Sequence, residues 1–238
     1  MTGARRLCIL EWIASAPGAS ASERLCAVGA EATATTGAGI MLLTSGLPGG
    51  SLYTTDAVSA RLEELQFTSG EGPCVEAFHR QRTIDEPDLL APAELRWPSF
   101  SPAAVDAGAR AVFGFPIAIG SANLGALNLY RDEVGSLTAE QHADALVIAD
   151  LAARSVLGMQ AGAPPGQLGA DLTSDFNFRF VVHQATGVVA FQLGVSVTDA
   201  LMLLRAHAFL HDRVITEVAH AVVDGRLHIP APVERPGA

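Results

Sequence analysis

The chain has 238 residues, of which 49% are hydrophobic, and its formal net charge at pH 7 is -10. The length favours two modules or one large one, and the apolar content is enough for packed cores. The acidic balance argues against a polyanion partner for the chain as a whole, and no apolar run approaches the ~20 residues that a membrane-spanning helix needs. The first residues do not form a convincing signal peptide, so we expect a cytoplasmic protein without membrane contact.

The first part of the chain mixes strand and helix patterns. Residues 37–45 and 109–131 are rich in strand formers, and in the latter GSANLG lies between two apolar runs as the turn of a β-hairpin does. Residues 138–160 begin with Thr138 and have Gln141 three positions on, which is the spacing of a capping box. They contain no helix breaker. The pattern predicts a long helix whose broad apolar stripe covers a sheet on one side and another helix on the other.

The segment AGAPPGQLGAD, residues 161–171, is the clearest boundary in the sequence. It contains two adjacent prolines, and proline cannot continue a helix interior. Residues 230–238 are rich in proline and are predicted to be a disordered tail. The sequence therefore predicts a first module over residues 1–160, a linker, and a second module over residues 172–229.

Beyond the linker, apolar residues recur at helical spacing in three segments. The first covers residues 174–193 and ends at Gly194. The second begins at Ser196, with Asp199 three positions on as in a capping box. The third repeats the helical spacing from Ile215 onwards. The predicted fold class is α+β, with a sheet in the first module and three helices in the second.

Residues 179–223, RFVVHQATGVVAFQLGVSVTDALMLLRAHAFLHDRVITEVAHAVV, resemble the ANTAR domain in the order and spacing of their motifs. The matching pattern is an Arg, a pair of aliphatic residues, a Gln-Ala-x-Gly helix and a turn, followed by eAf..Lr..A and l.evA..vv. It covers almost the whole second module. The resemblance implies a transcription antiterminator, usually a dimer, that binds paired hairpins in nascent RNA and prevents a terminator from forming.

Residues 1–160 resemble the GAF domains that precede ANTAR domains in actinobacterial proteins. The most recognisable piece is LQFTSGEGPCVEAFHRQRTIDEPDL, residues 65–89. GAF domains share a central antiparallel sheet flanked by helices and a ligand pocket adapted to many molecules. The resemblance thus implies a sensor module with a small-molecule ligand, but a fold alone names neither that ligand nor a cofactor.

The candidate RNA-binding residues are a polar row on the first helix of the second module, the residues beside it and two further arginines. At 100° per residue, Arg179, His183 and Thr186 lie within about 60° of one another. An Arg can bind a phosphate or stack on an unpaired base, and a neighbouring Gly lets RNA approach the helix backbone. The set is Arg179, His183, Gln184, Thr186, Gly187, Arg205 and Arg213.

A second interpretation of these residues stays open. Thr186 stands where many members of the family have Lys, and losing a cation there weakens the attraction to phosphate. Arg205 lies between apolar neighbours and can equally pair with Asp199 or Asp212. In this alternative the polar row is the solvated side of a packed helix, and the module only dimerises or binds another protein.

The candidate ligand site of the first module lies around GEGPC, residues 70–74. The glycines permit tight turns, and the N-terminus of the helix predicted after them can bind an anion or accompany a lowered Cys74 pKa. The alternative is a buried turn with an inert cysteine. The candidate ligand-binding residues are Gly70, Gly72, Cys74 and His79.

Enzyme chemistry is a third alternative, because some GAF domains reduce free methionine sulfoxide with cysteines gathered at the pocket. Here Cys8 and Cys26 are far from Cys74 in sequence, and the three cysteines have neither disulfide nor zinc-site spacing. The sequence contains no hydrolase nucleophile elbow, P-loop or dinucleotide fingerprint. We therefore expect no catalytic residues, no metal site and no enzymatic activity.

Overall fold

The computed structural model describes residues 3–18, 20–44, 47–91, 96–161, 180–211 and 213–230. The chain divides into two compact units, Met1–Phe176 and Asn177–Ala238. The predicted linker and the start of the helix predicted from residue 174 lie almost wholly outside the described residues, so the module boundaries stay predictions. Within the described ranges, no single helix is both long and apolar enough to cross a bilayer.

The first unit is built on a five-stranded antiparallel sheet of order β2-β1-β5-β4-β3. The expectation of an antiparallel sheet flanked by helices is confirmed. The elements of this unit are α1 (Gly3–Ser15), α2 (Ala21–Ala32), β1 (Gly37–Thr44), β2 (Leu47–Thr54), α3 (Ala57–Ser69), α4 (Pro73–Arg80), β3 (Ile84–Glu86), α5 (Ser101–Asp106), β4 (Ala111–Ile119), β5 (Ala122–Arg131) and α6 (Ala139–Gln160).

The hairpin predicted at residues 109–131 is confirmed as strands β4 and β5. Ile119 pairs with Ala122, so the connection is a two-residue turn of Gly120 and Ser121. Gly120 has a φ of 59°, a conformation that tight hairpin turns require and that glycine adopts without steric cost. The turn is shorter than the predicted GSANLG, because residues 122–125 already belong to β5.

Both faces of the sheet are covered, so its strands are buried on both sides. Helices α2 and α6 cover one face, where Leu127 and Leu129 of β5 point into an apolar core. Helices α3 and α4 cover the opposite face, where Ala126 and Tyr130 of the same strand point. Successive residues of a strand point to opposite faces, so Asn128 lies on the face that α3 and α4 cover.

The long helix predicted at residues 138–160 is confirmed as α6. The Oγ1 of Thr138 accepts the backbone N–H of Gln141 at 3.2 Å, and the Oε1 of Gln141 accepts the N–H of Thr138 at 2.9 Å. This is the predicted capping box. The helix packs on β4 and β5 and also on α1 and α2, so the expected two-sided contact is confirmed.

Helix α1 is joined to α6 by an ion pair at a buried carboxylate. The Nε of Arg5 donates to Asp144 at 2.8 Å, and a second nitrogen of the same guanidinium donates to the other carboxylate oxygen. Asp144 is fully buried, whereas Arg5 is partly exposed. A buried carboxylate destabilises a fold unless it is paired, so Arg5 makes this position of Asp144 tolerable.

The second unit contains helices at the predicted positions: α7 (Phe180–Leu193), α8 (Val197–Leu210) and α9 (Ile215–Val223). Gly194, with a φ of 66°, follows the end of α7. Ser196 caps α8, and its Oγ accepts the N–H of Asp199 at 3.1 Å. Helix α7 packs on both α8 and α9.

The buried faces of these helices agree with the predicted stripes except at a few positions. Val197, which falls at the helical spacing of Ala200, Leu201 and Leu204, is exposed, and so is Gln192, three residues after the buried Val189. Thr186, expected in the exposed polar row, is buried. The periodicity therefore located the helices. The packing of the three helices decided which residues at the edges of each apolar stripe are buried.

We predict that Arg5→Met lowers the melting temperature by several degrees, because it leaves the buried carboxylate of Asp144 without this partner. The matched control is Arg6→Met, which removes an ion pair to the partly exposed Asp150. Exposed pairs contribute little, so the control should change the melting temperature by no more than about one degree. Equal losses in the two variants, measured by circular dichroism, would contradict the special role of Asp144.

Candidate functional sites

A buried polar cluster lies on the face of the sheet that α3 and α4 cover. Its members are Glu63 and Gln66 of α3 and Asn128 of β5, and each is at most 1% exposed. Buried polar side chains in native proteins are almost always hydrogen-bonded or functional. The buried polar cluster (Glu63, Gln66, Asn128) is therefore the candidate functional site of the first unit.

Two glycines beside Asn128 make room for this cluster. Asn128 pairs with Gly39 of β1 on one side and with Gly114 of β4 on the other. A Cβ atom at Gly39 would lie 2.2 Å from Oε1 of Glu63, and one at Gly114 would lie 2.4 Å from the carbonyl oxygen of Pro73. The glycines thus allow polar groups of α3 and α4 to approach the sheet on either side of Asn128.

Gln66 links the cluster to the start of α4. Its Oε1 accepts the backbone N–H of Cys74 at 2.7 Å, which satisfies one of the free donors at a helix N-terminus. Gly72 has a φ of 125°, and a Cβ atom there would lie 2.5 Å from the side chain of Gln66. The connection between α3 and α4 therefore folds around the Gln66 amide.

The sequence-derived ligand candidates occupy this connection only in part. Gly70 ends α3 with its N–H on the carbonyl of Gln66, and Gly72 and Cys74 contact the Gln66 side chain. His79 is exposed near the other end of α4. The structure thus brings Gly70, Gly72 and Cys74 together and places His79 apart from them.

Burial raises the pKa of the Cys74 thiol well above its ordinary value, and the nearby charge of Glu63 raises it further. Burial and the same charge raise the pKa of Cys26. Cys26 and Cys74 belong to the cores on opposite faces of the sheet, and Cys8 is exposed. The alternative of a lowered Cys74 pKa is wrong, because burial raises this pKa more than the hydrogen bond with Gln66 lowers it.

The cluster contains polar atoms that the rest of the fold does not satisfy. Both Asn128 amide atoms, Nδ2 and Oδ1, and Nε2 of Gln66 have no hydrogen-bond partner among the described residues. Each such atom carries a desolvation cost of roughly 1–3 kcal/mol. An arrangement of this kind can bind a small polar molecule that supplies the missing partners.

Sequence reasoning missed Glu63, Gln66 and Asn128. Asn128 carried a usable signal, because it is the single polar side chain in the apolar strand segment LGALNLY. Glu63 and Gln66 carried little, since polar residues three apart on a helix usually lie on its solvated side. In the described parts of the chain, no group of three or more His, Cys, Asp and Glu side chains could hold a metal ion.

The candidate surface of the second unit is the exposed face of α7, formed by His183, Gln184, Gly187 and Phe191. Phe191 is 91% exposed. A Cβ atom at Gly187 would meet no described neighbouring atom within 4 Å. Gln184, Gly187 and Phe191 of this face line an open groove together with Val188, Gln192 and Val223.

The structure corrects the predicted polar row at Thr186. This side chain is buried, and its Oγ1 donates to the carbonyl oxygen of Val182 at 2.7 Å. Its hydroxyl is used within the helix and is not presented to a partner. Arg179, the first member of the predicted row, lies outside the described residues.

The two further arginines differ in environment. Arg205 is half-buried, and desolvation lowers the pKa of its guanidinium to about 10. Arg213 is more accessible and lies 3.7 Å from the carboxylate of Glu217, four residues on. Neither is an unhindered surface cation of the kind that a phosphate contact favours.

Helix α8 carries an exposed apolar stripe on the side away from its buried residues. The stripe consists of Met202, Ala206, Phe209 and Leu210, at the i, i+4, i+7 and i+8 positions. Phe209 and Leu210 are 69% and 77% exposed. Exposed apolar residues at helical spacing mark a surface suited to a protein partner.

No protein-family model and no curated protein matches the chain. Similar solved structures include the GAF domain of a phosphoenolpyruvate-protein phosphotransferase from Coxiella burnetii, with 19% identity over 66% of this chain and 92% of that chain and a TM-score of 0.49. The GAF domain of the Acinetobacter phosphoenolpyruvate-protein phosphotransferase has 11% identity over 68% and 98% of the two chains and a TM-score of 0.46.

A type II free methionine-R-sulfoxide reductase from Thermoplasma acidophilum is also similar, with 18% identity over 56% of this chain and 86% of that chain and a TM-score of 0.42. Similarity at this level assigns neither a ligand nor an activity, since one fold hosts many functions.

We predict that iodoacetamide labels Cys8 within minutes in the folded protein and leaves Cys26 and Cys74 unmodified. A raised pKa lowers the thiolate fraction, so increasing the pH from neutral to mildly alkaline should not expose the two buried thiols to alkylation. All three should react after unfolding in guanidinium chloride, which is the control. Mass spectrometry counts the labelled sites, and rapid labelling of Cys74 in the folded state would contradict this assignment.

Proposed function

We propose that the chain is a signal-responsive regulator in which a GAF-type sensor unit controls an ANTAR-type unit that binds hairpin RNA as a transcription antiterminator. The sensor role is supported by the antiparallel sheet with helices on both faces and by the buried polar cluster. The RNA-binding role is supported by the motif order over residues 179–223 and by the chemistry of the α7 face.

The observation that carries the RNA-binding role is the exposed ring of Phe191 beside Gly187. An unpaired base stacks on an exposed aromatic side chain, and each such contact contributes about 1–3 kcal/mol. The open space at Gly187 lets the nucleic acid come close to the helix. His183 and Gln184 supply hydrogen-bonding groups on the same face, which can contact base edges.

Phosphate contacts contribute less in this proposal than stacking does. Thr186 is buried, Arg205 is half-buried and Arg213 is paired with Glu217. The cations proposed for phosphate are then Arg179 and Arg213, and Arg213 has to leave its contact with Glu217 to bind one. With two phosphate contacts, log K should fall with log salt concentration at a slope of about -1.4, a shallow dependence for an RNA-binding protein.

Regulation follows from a population shift in the proposed sensor. A ligand that binds one state of the first unit more tightly raises the population of that state, and with it the RNA-binding activity associated with that state. The two prolines in residues 161–171 argue against one continuous helix between the units. We propose a cytoplasmic location, which this role requires.

A cysteine-dependent reductase role is less well supported. Cys26 and Cys74 are buried on opposite faces of the sheet, and their pKa values are raised. Thiols of this kind are poor nucleophiles, because the thiolate is the reactive form. We therefore propose that the chain is not an enzyme.

A second candidate function is self-association through the α8 stripe. Met202, Phe209 and Leu210 expose apolar surface along one side of α8. Burying such side chains against a second helix is favourable at about 25 cal/mol per Å² of apolar surface. We propose that the functional form is a homodimer, in keeping with the expectation from the ANTAR resemblance.

We predict that Phe191→Ala raises the dissociation constant for RNA with paired hairpins about tenfold, because one stacked base is lost. Gel-shift titration with the full chain measures this. The control is Val197→Ala, which truncates an exposed apolar side chain outside both the α7 face and the α8 stripe, and it should leave RNA affinity unchanged. Absence of RNA binding by the wild type even at low salt would refute the RNA-binding proposal.

For the α8 stripe, Phe209→Asp should raise the dimer dissociation constant at least about tenfold, because it places a carboxylate in a desolvated contact. Phe191→Asp is the control and should leave self-association unchanged. Sedimentation equilibrium over a range of concentrations gives both constants. A wild type that sediments as a monomer at every concentration would eliminate the dimer.

A further inference from the structure

The three unsatisfied amide atoms of the buried polar cluster define what a ligand must offer. Nδ2 of Asn128 and Nε2 of Gln66 are donors that need an acceptor, and Oδ1 of Asn128 is an acceptor that needs a donor. Asn128 is 1% exposed and points to the face covered by α3 and α4. A purely acceptor or purely donor molecule would satisfy only part of this set.

The acceptor groups around Asn128 select against anionic ligands, and the two amide donors select against a ligand that has donors only. The carboxylate of Glu63 lies over Gly39, and the carbonyl oxygen of Pro73 lies over Gly114, so acceptor groups flank Asn128 on both sides. An anion would face these acceptors in a buried site. A donor-only cation would leave the two amide NH2 groups without acceptors, and each unpaired buried donor is costly.

We propose that the buried polar cluster is the binding site for a small neutral molecule with a hydrogen-bond donor and acceptor side by side, as in a carboxamide, lactam or urea. An asparagine amide pairs with such an edge through two hydrogen bonds. This proposal rests on the sensor role proposed for the first unit.

Gln66 connects a bound ligand to the contact between α3 and α4. Oε1 of Gln66 accepts the N–H of Cys74 at the start of α4, and Nε2 of the same amide has no hydrogen-bond partner among the described residues. A ligand that accepts from Nε2 fixes the orientation of this amide and therefore strengthens the attachment of α4 to α3. Because the cluster is closed to solvent, entry requires local opening between these helices.

The test uses three planar probes of nearly equal size with the full chain. Acetamide carries one acceptor and one donor group, acetate carries acceptors only, and acetamidine is a cation with donors only. Titrations are followed by the side-chain 1H–15N signals of Asn128 and Gln66 and by the melting temperature. Affinities for such small probes lie in the millimolar range.

We expect acetamide to shift both side-chain signals with one saturation constant, and to raise the melting temperature by about 3–6 °C at ten times that constant. Acetate and acetamidine should bind at least about tenfold more weakly. Equal effects of the three probes, or no shift with any of them, would overturn the proposal. In the second case the cluster holds ordered water only.

Asn128→Leu is the matched variant, since it keeps the volume of the side chain and removes both amide atoms. The variant should melt at or above the wild-type temperature, because it removes unsatisfied polar atoms, and it should no longer respond to acetamide. A folded variant that still responds to acetamide as the wild type does would overturn the proposal. The wild-type titration decides the question even if the variant does not fold.

This outcome can be separated from the fate of the proposed RNA-binding role. Gel shifts of the full chain report RNA affinity, and the probe titrations report the cluster in the first unit. Selective acetamide binding without RNA binding would retain the ligand site and remove only the proposed output. RNA binding without selective binding of any probe would retain the proposed RNA-binding role and remove the ligand site.

Discussion

The close approach of α3 and α4 to the sheet depends on two glycines that flank Asn128. A side chain at Gly114 would collide with the backbone of Pro73, and one at Gly39 would collide with Glu63. Backbone cannot move aside as the end of a flexible side chain can, so Gly114 in particular fixes how deeply the start of α4 is seated. The burial of Cys74 and the hydrogen bond from its N–H to Gln66 follow from this seating.

The two faces of the sheet differ in the polarity of the side chains buried on them. The face under α2 and α6 is an apolar core, and its one buried carboxylate nearby, Asp144, is held by Arg5. The face under α3 and α4 combines apolar side chains with the buried polar cluster. Apolar burial favours the fold, whereas polar atoms without partners oppose it. The first face is therefore suited to stability and the second to recognition.

In the second unit, neighbouring positions on one side of α7 differ in burial because of how the helices pack. Thr186 is turned into the contact with the other helices, where its hydroxyl bonds to the helix backbone. His183 and Gly187, on the neighbouring positions, remain exposed together with Phe191. A lysine at 186 could reach solvent with its long chain, but a threonine cannot, so the proposed RNA-binding surface is built around an aromatic ring.

The sequence by itself determined the β4–β5 hairpin, α6 and the three helices of the second unit, with several of their ends. The capping box at Thr138, the turn at Gly120 and the stop at Gly194 act over a few residues, and local interactions of this kind are encoded where they occur. It also located the turn at Gly70 and Gly72, although not its role in enclosing Gln66.

Only the tertiary structure decided which polar groups are buried together. Glu63, Gln66 and Asn128 are buried on the same side of the sheet because α3 packs over strands that are distant in sequence, and nothing local to α3 distinguishes its two polar side chains from solvated ones. In the same way, the periodicity of α7 predicted a helix, but the burial of Thr186 depended on how α8 and α9 pack against it. Burial is a property of neighbours across the fold, so the sequence pattern could name candidates and only the assembled structure could sort them.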